Sequence, residues 1–129
     1  MIVARRARGG RELALGARFD RAFGPLVLVG DGGVYLEALK DFRLLMPPFG
    51  EEDVLAKIAQ LRVAPLLGSQ RGRPALDVRA FARMAVTLGD ALTAWGGAVA
   101  SVDVNPVMVF ETGALALDAL VESYNFPHP

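Results

Sequence analysis

The sequence predicts a single α+β domain, in which a mostly antiparallel sheet carries two main helices on one face. Apolar segments of strand length, separated by turn residues, lie at both ends of the 129-residue chain, and two helical patterns lie between them. Strands joined by short turns favour antiparallel pairing. The longer helical pattern has a one-sided apolar stripe that a sheet can cover, so we expect the N-terminal and C-terminal strands to share one sheet.

Three strands are predicted in the first part of the chain. Residues 11–18 alternate in polarity, a turn follows at 20–25, and Leu26–Val29 is a continuous apolar segment. Gly30-Asp31-Gly32-Gly33 comes directly after it. Residues 34–41 fit either a strand or a short helix. Residues 42–46 predict a third strand, which Pro47-Pro48 ends.

Two helices are predicted in the middle of the chain. Residues 51–61 carry acidic side chains in the first turn and an apolar stripe behind them. After a loop over residues 65–74, a longer helix begins after Asp77, a favourable N-cap, and ends at Trp95 before Gly96-Gly97. Its apolar positions recur every three or four residues and predict one buried face: Val78, Phe81, Ala85, Leu88, Leu92 and Trp95.

The last two apolar segments predict a β-hairpin. They run over residues 101–110 and 114–118, with Glu111-Thr112-Gly113 between them. If the loop spans Phe110 to Gly113, Asn105 lies opposite Asp118 on one face of the hairpin. An amide oxygen beside a carboxylate is a pair that Mg²⁺ accepts, with water and phosphate oxygens as its remaining ligands. The hairpin therefore offers half of a metal–nucleotide site.

Other interpretations of the same residues remain open. Asn-Pro is a common turn dipeptide and an Asp often ends a strand, so Asn105 and Asp118 also suit a purely structural role. Asp103 projects to the same face as Asn105, because side chains alternate along an extended segment. Asp103 could enlarge a metal site or hydrogen-bond the loop, and its spacing is compatible with both.

The composition excludes several classes of function. Hydrophobic residues make up 53% of the chain, which favours a packed globule, and a net charge of zero argues against nucleic acid as the main partner. The absence of cysteine excludes disulfides and thiolate metal sites and fits a reducing cytoplasm. The single histidine, His128, lies next to the C-terminus, so a buried histidine-dependent nucleophile is not expected. The longest uncharged stretch, residues 91–102, is too short to span a membrane, and the N-terminus lacks the apolar core of a signal peptide.

Two further groups of residues could contact a ligand. Gly30, Gly32 and Gly33 could let the backbone approach a ligand or could only turn the chain, and their spacing matches neither the dinucleotide fingerprint nor a Walker loop. Glu37 could serve the same site or be a surface carboxylate near Lys40. Arg71 and Arg73 could clamp a phosphate or carboxylate, or remain exposed without a chemical role.

Taken together and in order, these motifs resemble the C-terminal portion of the ATP-grasp domain of ADP-forming acyl-CoA synthetases. The β subunit of succinyl-CoA synthetase is a more distant relative with the same layout. The resemblance covers nearly all of residues 9–121. It rests on Gly9-Gly10-Arg11-Glu12-Leu13-x-x-Gly16, Phe23-Gly24-Pro25, Gly30-x-Gly32-Gly33-x-x-x-Glu37-x-x-x-Asp41, Arg71-Gly72-Arg73-Pro74, Asp103-x-Asn105-Pro106 and Ala116-Leu117-Asp118.

The resemblance implies the nucleotide-binding part of a ligase that joins a carboxylic acid to coenzyme A while ATP is cleaved to ADP and phosphate. It implies that Asn105 and Asp118 hold Mg²⁺ and that Gly30, Gly32, Gly33 and Glu37 belong to the same ATP/ADP cleft. The preceding half of the domain, with its phosphate-binding lysines, has no counterpart in these 129 residues.

Because half of the domain has no counterpart, we expect the chain alone to be inactive. Its expected partner is a second copy or a chain that carries the rest of the domain. The alternative is a non-catalytic interaction or regulatory module, such as the synthetase-like part of a protein acyltransferase. Residues 1–129 are expected to form one domain, with possible frayed tails at 1–8 and 122–129.

Overall fold

A computed structural model describes residues 10–32, 41–69 and 72–123 and shows one antiparallel sheet of six strands. The sheet has the order β3-β2-β1-β4-β5, and β6 pairs with β4 beyond the end of β5. The N-terminal β1 pairs with the C-terminal β4, so the two ends of the chain share the sheet as predicted. The strands are β1 (Arg11–Asp20), β2 (Gly24–Asp31), β3 (Phe42–Leu45), β4 (Val99–Val109), β5 (Ala114–Ala116) and β6 (Ala119–Ser123).

The described helices pack on one face of this sheet, which we call the helix face. α1 (Glu51–Ile58) packs against β2 and β3, whereas α3 (Val78–Trp95) packs against β2, β1 and β4. α2 (Ala64–Leu67) is a single turn between them, and a 3₁₀ turn (Gly96–Ala98) leads from α3 into β4. The predicted α+β class is confirmed. Within the ranges that the structure describes, no helix is long and apolar enough to cross a membrane.

The core lies between the helix face and α1 and α3. Alternate residues of each strand enter it, as the period of a half-buried sheet requires. On β1 these are Leu13, Leu15 and Ala17, and the fully buried Phe81 of α3 packs with them. The intervening residues lie on the other side of the sheet, which we call the opposite face. The core strand residues of the remaining strands are Val27, Val29, Leu45, Val102, Val104, Val107 and Val109.

Two of the predicted boundaries were wrong. The first helix ends at Ile58 instead of residue 61, and α2 lies where the loop from residue 65 was predicted. Pro65 is accepted in the first turn of α2 because its missing N–H has no helical partner there. Burial of Leu61 and Leu67 then stabilises a short turn that local sequence does not favour.

Several predicted elements are longer in the structure or fall outside its described ranges. β1 and β2 extend beyond the predicted segments to Asp20 and Gly24, joined by a turn in which Asp20 accepts the Ala22 and Phe23 amides. β6 continues to Ser123, so residues 122 and 123 are in a strand. The segment at 34–40, which fitted either a strand or a helix, lies outside the described residues.

Candidate functional site

The hairpin that carries Asn105 and Asp118 has the predicted register. β4 ends at Val109 and β5 begins at Ala114, and the Phe110 amide donates to the Gly113 carbonyl across the loop (3.0 Å). The Asn105 amide donates to the Asp118 carbonyl at 3.2 Å, which makes the two residues cross-strand neighbours. The register continues beyond them, because Val104 pairs with Ala119. The prediction that Asn105 faces Asp118 is confirmed at the level of the backbone.

A bulge at this point was not predicted. Leu13 of β1 pairs with Val107 and Leu15 pairs with Val104, so Ala14 alone lies opposite both Asn105 and Pro106. The same interval interrupts the partner strand, since Leu117 and Asp118 lie between β5 and β6. Bulges re-aim side chains and are frequent beside functional sites. Asn105 and Asp118 therefore lie at the irregular point of an otherwise regular hairpin.

Both side chains belong to the opposite face of the sheet. Their chain neighbours Val104 and Ala119 line a groove against α3 and so lie on the helix face. Side chains of consecutive strand residues point to opposite sides, which puts Asn105 and Asp118 away from the helices. Both residues are exposed. An amide oxygen and a carboxylate are thus both accessible to a ligand that approaches this face.

Asp103 lies beside the pair in the next row of residues across the sheet. It pairs with Gly16 of β1 and with Leu120 of β6. A Cβ atom added to Gly16 would lie 3.4 Å from Asp103 Oδ1, so the carboxylate leans over the space that a side chain would fill. A shallow pocket of about 290 Å³ lies there, lined by Asp103, Arg18, Leu28, Ser101 and Glu122 among others. The surface next to the bulge is therefore concave and carries charged groups of both signs.

Packing explains the two described glycines of the predicted 30–33 loop, of which Gly30 lies in β2 and Gly32 follows the strand. A Cβ atom on Gly30 would lie 2.5 Å from the Asp41 carbonyl oxygen and 2.6 Å from Phe42 Cδ1. On Gly32 it would lie 2.6 Å from the Leu13 carbonyl. Backbone bonds hold the loop at this distance, since Asp31 donates to Asp41 and Gly32 donates to Glu12, each at 3.2 Å. Close approach to the neighbouring strands accounts for both glycines without a ligand.

Gly30 nevertheless lies in the same row across the sheet as the bulge. Gly30 pairs with Ala14, and Ala14 lies opposite Asn105 and Pro106. Strands are about 4.8 Å apart, so Gly30 and Asn105 are separated by roughly 10 Å across the sheet. Gly33 and Glu37 lie outside the described residues, and their placement in this cleft stays a prediction.

Arg73 lies at the turn end of the hairpin and not at the bulge. It lines a small cleft with Arg11, Leu66 and Glu111, which is in the hairpin loop. Arg71 is outside the described residues.

Asp41, the last residue of the glycine-containing motif, has a structural role. Its carboxylate accepts hydrogen bonds from the Arg62 amide at 2.7 Å and from Arg43 Nη1 at 2.8 Å. These bonds join β3 to the chain that follows α1.

Asp77 has a role in the hairpin that the sequence did not reveal. It is the predicted N-cap of α3 and accepts the Ala80 amide at 3.1 Å, but its second oxygen accepts the Gly113 amide at 2.8 Å. Its own amide donates to the Phe110 carbonyl at 2.7 Å. The Gly113 and Ala80 amides lower the pKa of Asp77 below its ordinary value, because both bonds favour the carboxylate. Asp77 therefore ties the start of α3 to the loop of the hairpin that carries Asn105 and Asp118.

The donor set suits a hard divalent cation that has other ligands as well. Across the described residues, no three His, Cys, Asp or Glu side chains come together in a group that could hold a metal ion. Asn105 and Asp118 supply one amide and one carboxylate oxygen. Mg²⁺ keeps several waters and is bound through one or two carboxylates plus substrate phosphates, so a sparse protein set fits it better than it fits Ca²⁺ or Zn²⁺.

The chain is similar to several curated proteins, of which two illustrate the match. A trans-feruloyl-CoA synthase from an unknown prokaryotic organism is 37% identical over 123 residues, which are 94% of this chain and 17% of that protein. The β subunit of the ADP-forming acetate–CoA ligase I of Pyrococcus furiosus is 34% identical over 119 residues, which are 92% of this chain and 51% of the subunit. The chain thus spans between about a sixth and about half of the length of these relatives.

A solved structure of a synthetase is similar to this chain in its fold. The dinucleotide-forming acetyl-coenzyme A synthetase 1 of Ca. Korarchaeum cryptofilum, in complex with coenzyme A and Mg-AMPPCP, superposes with a TM-score of 0.79 at 30% identity. The match covers 88% of this chain and 53% of that one. Residues 1–122 also match the sequence family described as the ATP-grasp domain. The chain therefore belongs to the ATP-grasp domain family, in the form found in ADP-forming acyl-CoA synthetases.

Proposed function

We propose that this chain is the nucleotide- and Mg²⁺-binding part of an ADP-forming acyl-CoA synthetase and that Asn105 and Asp118 are its metal ligands. The observation that carries the proposal is the hydrogen bond from the Asn105 amide to the Asp118 carbonyl at 3.2 Å. It fixes two oxygen-bearing, exposed side chains as neighbours on one face of the sheet. The similar solved structure contains Mg-AMPPCP, a metal–nucleotide complex of the class proposed for this face.

The chemistry of these side chains is electrostatic. Bound Mg²⁺ would offset the negative charge of the nucleotide phosphates and hold their oxygens in a fixed arrangement. Asn105 adds an oxygen ligand without adding charge, whereas Asp118 adds one negative charge. The cation therefore keeps a net positive charge with which to attract phosphate oxygens.

The nucleotide is proposed to lie across the opposite face, from the bulge towards the glycine loop. Ala14, Gly16 and Gly30 are the small residues between Asn105 and that segment, with the Phe42 ring beside Gly30 and the Asp103 carboxylate beside Gly16. Gly30 and Gly32 remain proposed nucleotide-binding residues at its far end, and Gly33 and Glu37, which lie outside the described residues, remain proposed from the family resemblance. The Gly32 amide already donates to the Glu12 carbonyl at 3.2 Å, so Gly32 would border the nucleotide without donating this amide to it.

The rest of the ATP-grasp domain is proposed to complete the site. The chain spans 51% of the Pyrococcus β subunit, so a comparable length of that relative lies outside the match. We propose that the corresponding half, in the same polypeptide or in a partner chain, supplies the remaining phosphate contacts. The relatives favour this assignment over a non-catalytic regulatory module. Absence of cysteine agrees with a cytoplasmic location.

The metal assignment can be tested with paramagnetic Mn²⁺, which accepts the same oxygen ligands as Mg²⁺. Mn-ADP is titrated into the isotope-labelled chain and the loss of amide signals is followed by NMR. We expect selective broadening around residues 103–106 and 117–119 that requires ADP. The Asn105→Ala/Asp118→Ala variant should lose this broadening.

The matched control is Asp90→Ala, which removes an exposed carboxylate from the middle of α3. It should leave the broadening unchanged. Equal broadening in the wild type and the double variant would contradict the metal assignment. Broadening centred on other carboxylates would contradict it as well.

A further inference from the structure

The helix layer leaves one side of the sheet uncovered. α1 packs against β2 and β3, and α3 packs mainly against β2, β1 and β4. A helix is about 10 Å wide and strands are about 4.8 Å apart, so two helices cover roughly four strands. The sheet is five strands wide at this point, and the fifth position is held by β5 and β6. α3 contacts β5 less than it contacts β2, β1 and β4, so the helix face of β5 and β6 is the part that the two helices cover least.

An apolar trough follows from this arrangement, and we call it the α3 trough. Its floor is the helix face of the hairpin at Val104, Ala116 and Ala119, and its wall is the exposed side of α3. Its volume is about 530 Å³. The wall includes Arg83, Met84, Thr87, Leu88, Ala91 and Trp95.

Two large apolar side chains are exposed to solvent here: Trp95 lines the trough, and Val121 lies beyond Ala119 on the same face of β6. Trp95 is 47% exposed although it continues the buried stripe of α3. Val121 pairs with the buried core residue Val102 and shares its face of the sheet, yet it is 58% exposed. Every residue of β6 is exposed. Contiguous apolar surface beside an uncovered edge strand marks a site where another element packs.

We propose that the α3 trough is the binding site of an amphipathic helix from the other half of the ATP-grasp domain. Both relatives have further chain outside the match, since this chain covers 51% of the Pyrococcus β subunit and 53% of the solved synthetase chain. A helix is the occupant that fits, because it would continue the layer formed by α1 and α3 over the remaining strands. This inference rests on the proposed function, since it takes the partner to be the rest of a synthetase domain.

The chemistry of the trough defines the helix that it accepts. Met84, Leu88 and Trp95 require an apolar stripe of residues at helical spacing. Arg83 is the charged member of the wall and lies towards the start of α3. A carboxylate at the matching end of the incoming helix would pair with it, which sets the direction of the helix.

The test uses the full 129-residue chain, co-expressed with the portion of the Pyrococcus furiosus β subunit that it does not match. The chain has no cysteine, so a Val121→Cys variant carries a single thiol whose alkylation by N-ethylmaleimide is followed by the mass of this chain. In the co-purified complex we expect alkylation of Val121→Cys to slow at least tenfold. Ala56→Cys, at an exposed position of α1, should react at the same rate with and without the partner.

A second pair of variants tests the same surface by disruption. Val121→Asp would place a charge in the apolar contact and should abolish co-purification, whereas Ala56→Asp should not. The Asn105→Ala/Asp118→Ala variant should still co-purify, so loss of metal binding and loss of docking are separate results.

Three outcomes would overturn the proposal. One is the absence of any complex, and another is a complex in which Val121→Cys stays as reactive as in the free chain. The third is protection of Val121→Cys in the chain alone that increases with its concentration. This last result would assign the trough to a second copy instead.

Discussion

Gly30 and Gly32 lie where the backbone of β2 and the residues after it approach neighbouring strands too closely for any side chain. We predict that Gly30→Ala and Gly32→Ala each destabilise the protein by about 2 kcal/mol or more, because the added methyl group meets backbone atoms at 2.5–2.6 Å. Urea denaturation, fitted with one m-value for the wild type and the variants, measures this loss of unfolding free energy. Gly68→Ala is the control: its Cβ atom would meet nothing closer than 4.0 Å, and its φ is −81°. A stable Gly30→Ala protein would contradict the packing explanation.

Asp77 is the residue whose loss should affect both the helix and the hairpin. Asp77→Ala removes the acceptor of the Ala80 and Gly113 amides, and we expect a loss of about 2 kcal/mol of unfolding free energy. Asp77→Asn keeps one amide oxygen as a cap and should lose less. Hydrogen exchange of the Gly113 amide provides the local measurement, and it should accelerate in Asp77→Ala more than in Asp90→Ala. Equal exchange in both variants would show that the bond to Gly113 does not hold the hairpin loop.

At the level of elements, the hairpin shows what sequence can and cannot predict. Its register followed from loop length and polarity alone, because strand residues alternate with a period of two and Gly113 supplies the positive φ of 87° that the loop requires. The bulge opposite Ala14 could not be predicted from loop length and polarity. It depends on how β4 pairs with β1, and those strands are far apart in the sequence. The candidate metal ligands could be named in advance, whereas the local geometry that presents them could not.

The helices also divide into features that the local sequence predicts and features that depend on tertiary contacts. The boundaries of α3 were predicted because Asp77 caps its start and Gly96 ends it with a φ of 60°. α2 was missed because a four-residue helix has too few residues to show a period. It is held by burial of Leu67 and by the bond from the Leu76 amide to the Leu67 carbonyl. Contacts of that kind are tertiary, so no local pattern contains them.

At the scale of the whole molecule, the two faces of the sheet have different roles. The helix face contains the core and ends in the α3 trough, where we propose that a helix completes the layer. The opposite face carries Asn105, Asp118 and the small residues on which we propose that the nucleotide lies. On these two proposals, the docking surface and the ligand surface lie on opposite sides of the same sheet. The hairpin β4–β6 contributes to both, so docking of the rest of the domain would also hold the metal ligands in place.

Acid should destabilise the whole molecule, because three carboxylates are stabilised in their charged form by folding. The pKa of Asp20 is lowered by the Phe23 and Ala22 amides. The Arg62 amide, with Arg43, lowers the pKa of Asp41, and the Gly113 and Ala80 amides lower the pKa of Asp77. A folded pKa below the unfolded value gives stability that is fully present above the unfolded pKa, near 4, and is lost as the pH falls through the folded pKa.

We therefore predict a constant urea midpoint between about pH 7 and pH 5 and a steady fall from pH 5 to pH 3. Protonation of acidic residues also leaves the 14 lysine and arginine residues uncompensated, and their repulsion would lower the midpoint without any specific bond.

Variants separate the loss of specific hydrogen bonds from this general charge repulsion. Asp77→Ala should be less stable than the wild type at pH 7, and this difference should shrink towards pH 3, where the wild-type carboxylate is also protonated. For Asp90→Ala, which has no such bonds to lose, the difference should stay small at every pH. A difference for Asp77→Ala that does not change with pH would show that its carboxylate charge contributes nothing to the bonds it accepts.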